Sequence, residues 1–291
     1  MSCNYNVSTF LKCNYKIITI LVCSYNVITL SVPALALSFD TELTDGTLVY
    51  GKLEPNEDVF VKNSYLNVGK NDDSLFKIPK DKTGRFVIGI PQDAKELKLE
   101  IKTPTHSKEK TFSVNPRAWE EEVVTGLPPA KVNPNADNKK RISAEAEEMR
   151  FARQKSVFSH FPNTWSHPVP EFKRISSHFG SRRVLNNIKK QGHSGTDYAA
   201  PIGTPVLSPA AGRVVYINPD VFLTGKTVLV DHGFGVFSSY SHLNKISVKL
   251  NQELKTGDPI GEIGQTGRAT GPHLHFTVTW YGVRINPEDL F

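Results

Sequence analysis

Short segments of alternating hydrophobic and polar positions dominate the chain, and this pattern predicts a mainly β protein. Segments such as Asp58-Val59-Phe60-Val61 and Leu97-Lys98-Leu99-Glu100-Ile101 have period two, which places successive side chains on opposite faces of a strand. Turn sequences such as Asp45-Gly46 and Lys82-Thr83-Gly84 separate these segments. We therefore predict a small accessory β domain, resembling a β-sandwich, at residues 37–115.

The second half of the chain repeats this pattern and predicts an antiparallel β-sheet domain at residues 172–291. Gly-rich turns and the scarcity of helical periodicity argue against alternating helices and strands. Between the two domains, residues 116–171 are expected to be a linker with one helix at 138–155. The predicted strands of the second domain are Gly212–Ile217, Lys226–Asp231, Val236–Tyr240, Ile260–Ile263 and His275–Trp280.

The N-terminus has the pattern of an export signal covering residues 1–36. Lys12 and Lys16 precede an apolar run, and Ala34-Leu35-Ala36 matches the small-residue site that signal peptidases cut after. Tyr25 and Asn26 interrupt the run, so it is a poor membrane-spanning helix. We expect an exported, periplasmic protein with no integral membrane domain after cleavage. Retention of the segment as a membrane tether and release from the cell are the alternatives.

Charge and cysteine content narrow the possible partners and metal ligands. The formal net charge is +6, and without Lys12 and Lys16 of the predicted signal it is about +4 (6 − 2). This mild surplus suits an anionic polymer, and we expect no nucleic-acid partner. All three cysteines lie in the first 23 residues. Any metal in the body of the protein must therefore be held by His, Asp or Glu.

Histidines carry the candidate chemistry of the second domain. If the residues after Pro272 form a strand, His273 and His275 share one face of the sheet. Either both histidines bind metal, or one is a ligand beside a catalytic base. His193 and Asp197 form an H-x-x-x-D pair, and His242 ends an apolar strand. Together these residues match a zinc hydrolase, whose metal takes three protein ligands and leaves one position open.

Three blocks of sequence resemble the signature motifs of the lysostaphin-like, or LytM-domain, zinc peptidases. They are Gly192–Asp197, Tyr240–Leu243 and Gly271–His275, and Ser177–Arg182 is similar to a further motif of that family. The resemblance covers about Phe172 to Pro287.

The resemblance implies a site with five residues. One zinc ion would be held by His193, Asp197 and His275. His242 and His273 would flank the open side as catalytic residues, and zinc-activated water would be the nucleophile.

The resemblance also implies a function. The family hydrolyses peptide cross-links of peptidoglycan, and the N-terminal β region is similar to the accessory domain of Gram-negative periplasmic members. Two alternatives remain at this point. One is a non-enzymatic LytM-domain regulator of cell-wall amidases, a class that usually lacks the metal ligands. The other is a wall-binding module whose activity is blocked by residues 39–130.

Residues beside the motifs are expected to have structural roles. His232, at the end of a predicted strand, should stabilise a turn, and His178 should be a surface or packing residue. Arg182 or Arg183 is expected to pair with an acidic group near the site.

Overall fold

A computed structural model describes residues 17–19, 29–31, 37–66, 72–154, 156, 162 and 164–291. Most of the predicted export signal lies outside these residues. Its two described segments, β1 (Ile17–Thr19) and β2 (Thr29–Ser31), pair antiparallel. Within the described ranges, no helix combines the length and the apolar character needed to cross a membrane.

Two antiparallel sheets make up the N-terminal part of the described chain. Their strands are β3 (Ser38–Phe39), β4 (Leu48–Lys52), β5 (Asp58–Lys62), β6 (Leu75–Lys77), β7 (Arg85–Gly89), β8 (Glu96–Lys102) and β9 (Ser107–Ser113). The sheets have the orders β3-β4-β7 and β6-β5-β8-β9. Phe39 of the first sheet meets Phe112 of the second edge-to-face, with 5.2 Å between ring centroids. The two sheets therefore share a core, as a sandwich-like unit requires.

The segment after this unit contains β10 (Glu121–Val124), α1 (Pro129–Val132) and α2 (Ala136–Ala152). Helix α2 was expected at 138–155; it begins two residues earlier and ends three residues earlier. Its start is fixed by Asn135, whose side chain accepts a hydrogen bond from the backbone N–H of Asn138. Strand β10 pairs in parallel with residues Arg182–Leu185, so the linker contacts the C-terminal region directly.

The C-terminal region is built from short and long strands. Their bounds are β11 (Arg174–Ser177), β12 (Arg182–Leu185), β13 (Ile188–Lys189), β14 (Thr196–Ala199), β15 (Pro205–Leu207), β16 (Gly212–Val221), β17 (Gly225–Asp231), β18 (Val236–Ile246), β19 (Glu253–Leu254), β20 (Pro259–Ile263), β21 (His273–Trp280) and β22 (Val283–Ile285). Single turns of 3-10 helix cover Asn63–Tyr65 and Pro287–Leu290. Among the described residues, the main sheet has ten strands, with the path β11-β14-β21-β18-β17-β16-β19. The mainly β, antiparallel class is confirmed, and each of the five predicted strands is present with shifted ends.

Strand β21 divides the ten-stranded sheet into two chemically different faces. Leu274, Phe276, Val278 and Trp280 are fully buried on one face, which we call the core face. The N-terminal unit packs there, because Gly89 of β7 lies against Trp280 and Ile285. The opposite face carries His273, His275, Thr277 and Thr279, and we call it the site face. Period-two alternation thus separates hydrophobic packing from polar chemistry on a single strand.

Candidate metal centre

Three predicted ligands converge on the site face. Asp197 of β14 lies directly opposite His275 of β21 in the antiparallel register, and His193 is four residues before Asp197. His275 Nδ1 lies 2.7 Å from Asp197 Oδ1 and 3.0 Å from His193 Nε2. His193 Nε2 is 3.1 Å from Asp197 Oδ1. Atoms this close can all reach one small cation at the usual bond lengths of about 2.0–2.2 Å.

The protons of the two imidazoles fit metal binding. His193 Nδ1 lies 3.0 Å from the carbonyl of His178, which can only accept, so Nδ1 keeps a proton. Nε2 donates to Asp197 in the metal-free protein and presents its lone pair once a metal replaces that proton. Without metal, His275 Nδ1 donates to Asp197. His275 Nε2 lies 3.2 Å from Thr277 Oγ1 and 3.4 Å from Ser194 Oγ. Either hydroxyl can accept from Nε2 once Nδ1 gives up its proton to a metal.

A second layer of contacts holds Asp197 as a carboxylate. Arg183 donates to Asp197 Oδ2 at 2.8 Å and to Glu122 at 3.2 Å. Burial alone would raise the pKa of Asp197. The charge of His193 and the hydrogen bonds from His193 and His275 outweigh burial and hold that pKa well below its usual value. Asp197 is therefore ionised, as a metal ligand must be.

A backbone irregularity brings His242 to the same face. Ser241 lies opposite His275 in the register, so regular alternation would turn His242 toward the core face. The register shifts at this point, and His242 has a left-handed backbone with φ of +62°. Its backbone N–H donates to the carbonyl of Thr224 at 2.7 Å, which holds the bulge in place. This unusual conformation is the kind of strain found at functional sites.

His242 and His273 stand beside the ligands with free ring nitrogens. Their ring centroids are 4.7 Å apart, and His273 Nε2 is 3.8 Å from Asp197 Oδ1. His242 Nδ1 donates to the carbonyl of Thr266 at 2.7 Å, and His273 Nδ1 donates to that of Gly271 at 2.8 Å. Each Nε2 therefore presents a lone pair to the cluster whenever its ring is neutral. Burial, together with the charges of His273 and His275, lowers the pKa of His242 to about 3, so this imidazole is neutral at pH 7.

Stability of the metal-free protein is expected to fall in mild acid. Burial lowers the pKa of His275 to about 4 and that of His242 to about 3, below the ordinary value of about 6.5. Between pH 6.5 and 4 the unfolded chain binds more protons than the folded chain, so the free energy of unfolding decreases as pH falls. We expect a loss of roughly 2–4 kcal/mol between pH 7 and pH 5, measured by urea unfolding. His242→Gln should flatten this dependence; a stability that rises toward pH 5 would refute the assignment of neutral histidines.

The cluster lies in a cleft of about 740 Å³. One wall comes from the sheet and from the turn at Arg268–Gly271, and another from the linker residues Glu122, Val124 and Leu127. Arg268 donates to the carbonyl of Lys131 at 3.3 Å, which ties the turn to helix α1. The linker therefore shapes the space above the cluster.

The residues beside the motifs have the structural roles expected from the sequence. His232 has the predicted structural role, since its ring contacts the carbonyl of Ala211 at 2.8 Å and Ser238 Oγ at 2.7 Å. His178 is exposed and pairs with Glu288 at 2.8 Å. Of the two candidate arginines, Arg183 makes the acidic pair, whereas Arg182 has an exposed side chain.

Two groups near the ligands were not assigned from sequence. Glu122 belongs to the linker and pairs with Arg183, a contact that sequence separation hides. Thr277 could have been found, because it is two residues after His275 and shares its face.

The comparisons with known proteins agree with this geometry. Residues 191–287 match the model of Peptidase family M23. The chain is 42% identical over 121 residues to the peptidoglycan DD-endopeptidase ShyA of Vibrio cholerae, covering 41% of this chain and 28% of that relative. It is 36% identical over 146 residues to the DD-carboxypeptidase/endopeptidase Mpg of Neisseria meningitidis, covering 50% and 31%. The matched segments thus span less than a third of either curated relative.

The match to one of the solved structures extends over most of the chain. That structure is of a protein from Pseudomonas aeruginosa assigned to peptidase M23, with 31% identity and a TM-score of 0.57. The match covers 85% of this chain and 94% of that one. The likeness therefore extends beyond the residues that surround the cluster. The chain belongs to peptidase family M23.

Proposed function

We propose that this chain is a zinc-dependent endopeptidase that hydrolyses peptide cross-links of peptidoglycan. The observation that carries the proposal is the convergence of His193, Asp197 and His275 within hydrogen-bond distance of one another, beside two further imidazoles with free lone pairs. The printed activities of the relatives from Vibrio cholerae and Neisseria meningitidis supply the substrate class. A non-enzymatic regulator has no need for this complete set of groups.

The donor set fits zinc. Two imidazole nitrogens and one carboxylate oxygen are ligands that zinc accepts, and catalytic zinc sites use three protein ligands of this kind. His193 Nε2, His275 Nδ1 and Asp197 Oδ1 would hold the ion. When bound, zinc polarises a carbonyl and makes water a competent nucleophile at neutral pH.

The chain's own residues supply the proton transfers. His273 Nε2 and His242 Nε2 face the cluster, and either ring in its neutral form can take a proton from the attacking water. The protonated imidazole can then donate a hydrogen bond to the developing oxyanion or a proton to the leaving amine. The hydrogen bonds from Nδ1 to the carbonyls of Thr266 and Gly271 hold both rings in the required tautomer.

The cleft suits an extended, flexible peptide. Its walls carry exposed cations, among them Arg174 and Lys190, which favours a substrate with carboxylates.

We further propose that the activity operates in the periplasm. The basic residues, apolar run and Ala34-Leu35-Ala36 of the N-terminal segment support that location.

Mass spectrometry of muropeptides tests the proposal. Zinc-loaded protein incubated with purified sacculi should convert cross-linked dimers into monomers by cleaving a peptide bond in the cross-link. His193→Ala should release no monomers, because it removes a ligand. Cross-links that stay intact in the presence of zinc-loaded protein would contradict the proposed endopeptidase activity. Stimulation of a separately added amidase would then favour the non-enzymatic regulator.

A further inference from the structure

A second cavity, of about 320 Å³, lies between helix α2 and the site face. We call it the chamber. Its helix side includes Met149 and Arg153, and its sheet side includes Ser239 and Thr279. It reaches the metal centre at His275, which lines both cavities. Whatever occupies the chamber therefore lies beside a residue of the metal centre.

The chamber is positively charged. Three arginines line it, and its lining contains no carboxylate among the described residues. Arg150 turns back to Glu147, with Nε 2.8 Å from Oε2. Arg153 Nε is buried without a hydrogen-bond partner, and burial, with a smaller contribution from Arg284, lowers the pKa of Arg153 to about 10. Arg284, on β22, has no ion-pair partner within the described part of the chain.

A hydroxyl in the same chamber also lacks a partner. Thr279 is only 5% exposed, and its Oγ1 is buried with no hydrogen bond. Buried polar groups nearly always have a partner, so this hydroxyl and the Arg153 guanidinium nitrogen, which line the same cavity, are both available to a polar ligand.

The chain has no side-chain carboxylate outside the described residues that could fill this role. All 29 Asp and Glu residues lie within the described ranges, and none of them lines the chamber. An anion that binds in the chamber therefore belongs to another molecule.

We propose that the chamber binds a carboxylate of the substrate peptide, through the guanidinium groups of Arg153 and Arg284 and the hydroxyl of Thr279. Guanidinium groups bind carboxylates with strong, directional hydrogen bonds. Because His275 lines both the chamber and the cleft, the proposal places this carboxylate on a residue near the scissile bond. The identity of the peptide rests on the proposed function, but the anion site does not.

Binding of an acid and its amide tests the proposal. The probes are N-acetyl-D-alanyl-D-alanine and its C-terminal amide, titrated calorimetrically into zinc-loaded full-length protein. The acid should bind at least about 10-fold tighter than the amide, the size expected for charge-assisted hydrogen bonds. Arg153→Gln and Arg284→Gln should each reduce this ratio to within about twofold, while Arg153→Lys keeps part of it.

Lys140→Gln is the matched control. It removes one positive charge from the exposed side of helix α2, outside the lining of either cavity, and should leave the ratio unchanged. Zinc content and thermal midpoint identify any variant that fails to fold. Arg284→Gln is the independent second variant, because the Arg284 side chain is more exposed than that of Arg153. Equal binding of acid and amide to unaltered protein overturns the proposal, as does a ratio unchanged in both arginine variants. Inorganic phosphate binding without any preference for the acid would also overturn it.

The test of the anion site and the test of the proposed hydrolysis can fail independently of each other. If sacculi are not digested but the acid preference depends on Arg153, the proposed function fails and the anion site stands. If sacculi are digested and the Arg153→Gln variant has an unchanged KM for cross-linked dimers, the function stands and the anion site fails.

Discussion

Replacing His275 by alanine is expected to remove bound zinc and hydrolysis together, whereas His273→Ala should keep zinc and lose turnover. His275 Nδ1 is within 3.0 Å of both other ligand atoms, so its loss leaves two ligands. His273 Nε2 stays 3.8 Å from Asp197 and is placed to move protons. We expect kcat to fall about 10²–10⁴-fold for His273→Ala, the usual contribution of a general acid or base.

Metal analysis and muropeptide release, measured on the same preparations, distinguish the two roles. His178→Ala is the control, because it removes an exposed side chain that pairs with Glu288 and keeps the backbone carbonyl that contacts His193. It should retain both zinc and activity. Equal loss of zinc from the His273 and His275 variants would show that this division of roles is wrong.

Gly195→Ala is expected to damage the metal centre without touching any ligand. A Cβ at Gly195 would lie 2.2 Å from the backbone oxygen of Phe276 and 2.9 Å from Thr277 Oγ1. The start of β14 must then move away from β21, which separates Asp197 from His275. We expect a destabilisation of about 1–3 kcal/mol, typical of overpacking, and zinc affinity at least about 10-fold weaker.

Gly271→Ala provides the matched comparison on the other side of the site. Its Cβ would meet no heavy atom within 4 Å, and its backbone is not left-handed. The free energy of unfolding should change by less than about 0.5 kcal/mol, and zinc affinity should be unchanged. Both quantities come from urea unfolding and from competition with a chromogenic chelator. An unaltered zinc affinity in Gly195→Ala would mean that the β14–β21 register does not set the ligand geometry.

The sequence allowed the mainly β fold and the grouping of the candidate site to be predicted, because both depend on local patterns. Period two placed His273 and His275 on one face, and the structure has them there. Strand β14 was not predicted, since its two polar residues break the hydrophobic alternation: Asp197 serves the site, and the Thr196 hydroxyl donates to Glu288.

Features that depend on long-range packing could not be predicted. The bulge that turns His242 to the site face is held by the carbonyl of Thr224, which no spacing rule indicates. The contact of Glu122 with Arg183 spans 61 residues. The chamber arises because helix α2 lies over the site face, a packing arrangement that no local spacing in the sequence indicates.

A crystal structure of the full chain grown with zinc, with anomalous data collected on both sides of the zinc absorption edge, tests the central claim most directly. We predict one anomalous peak at the cluster, at about 2.0–2.2 Å from His193 Nε2, His275 Nδ1 and Asp197 Oδ1. No peak at the cluster in zinc-saturated crystals, or a peak bound by other residues, would contradict the account.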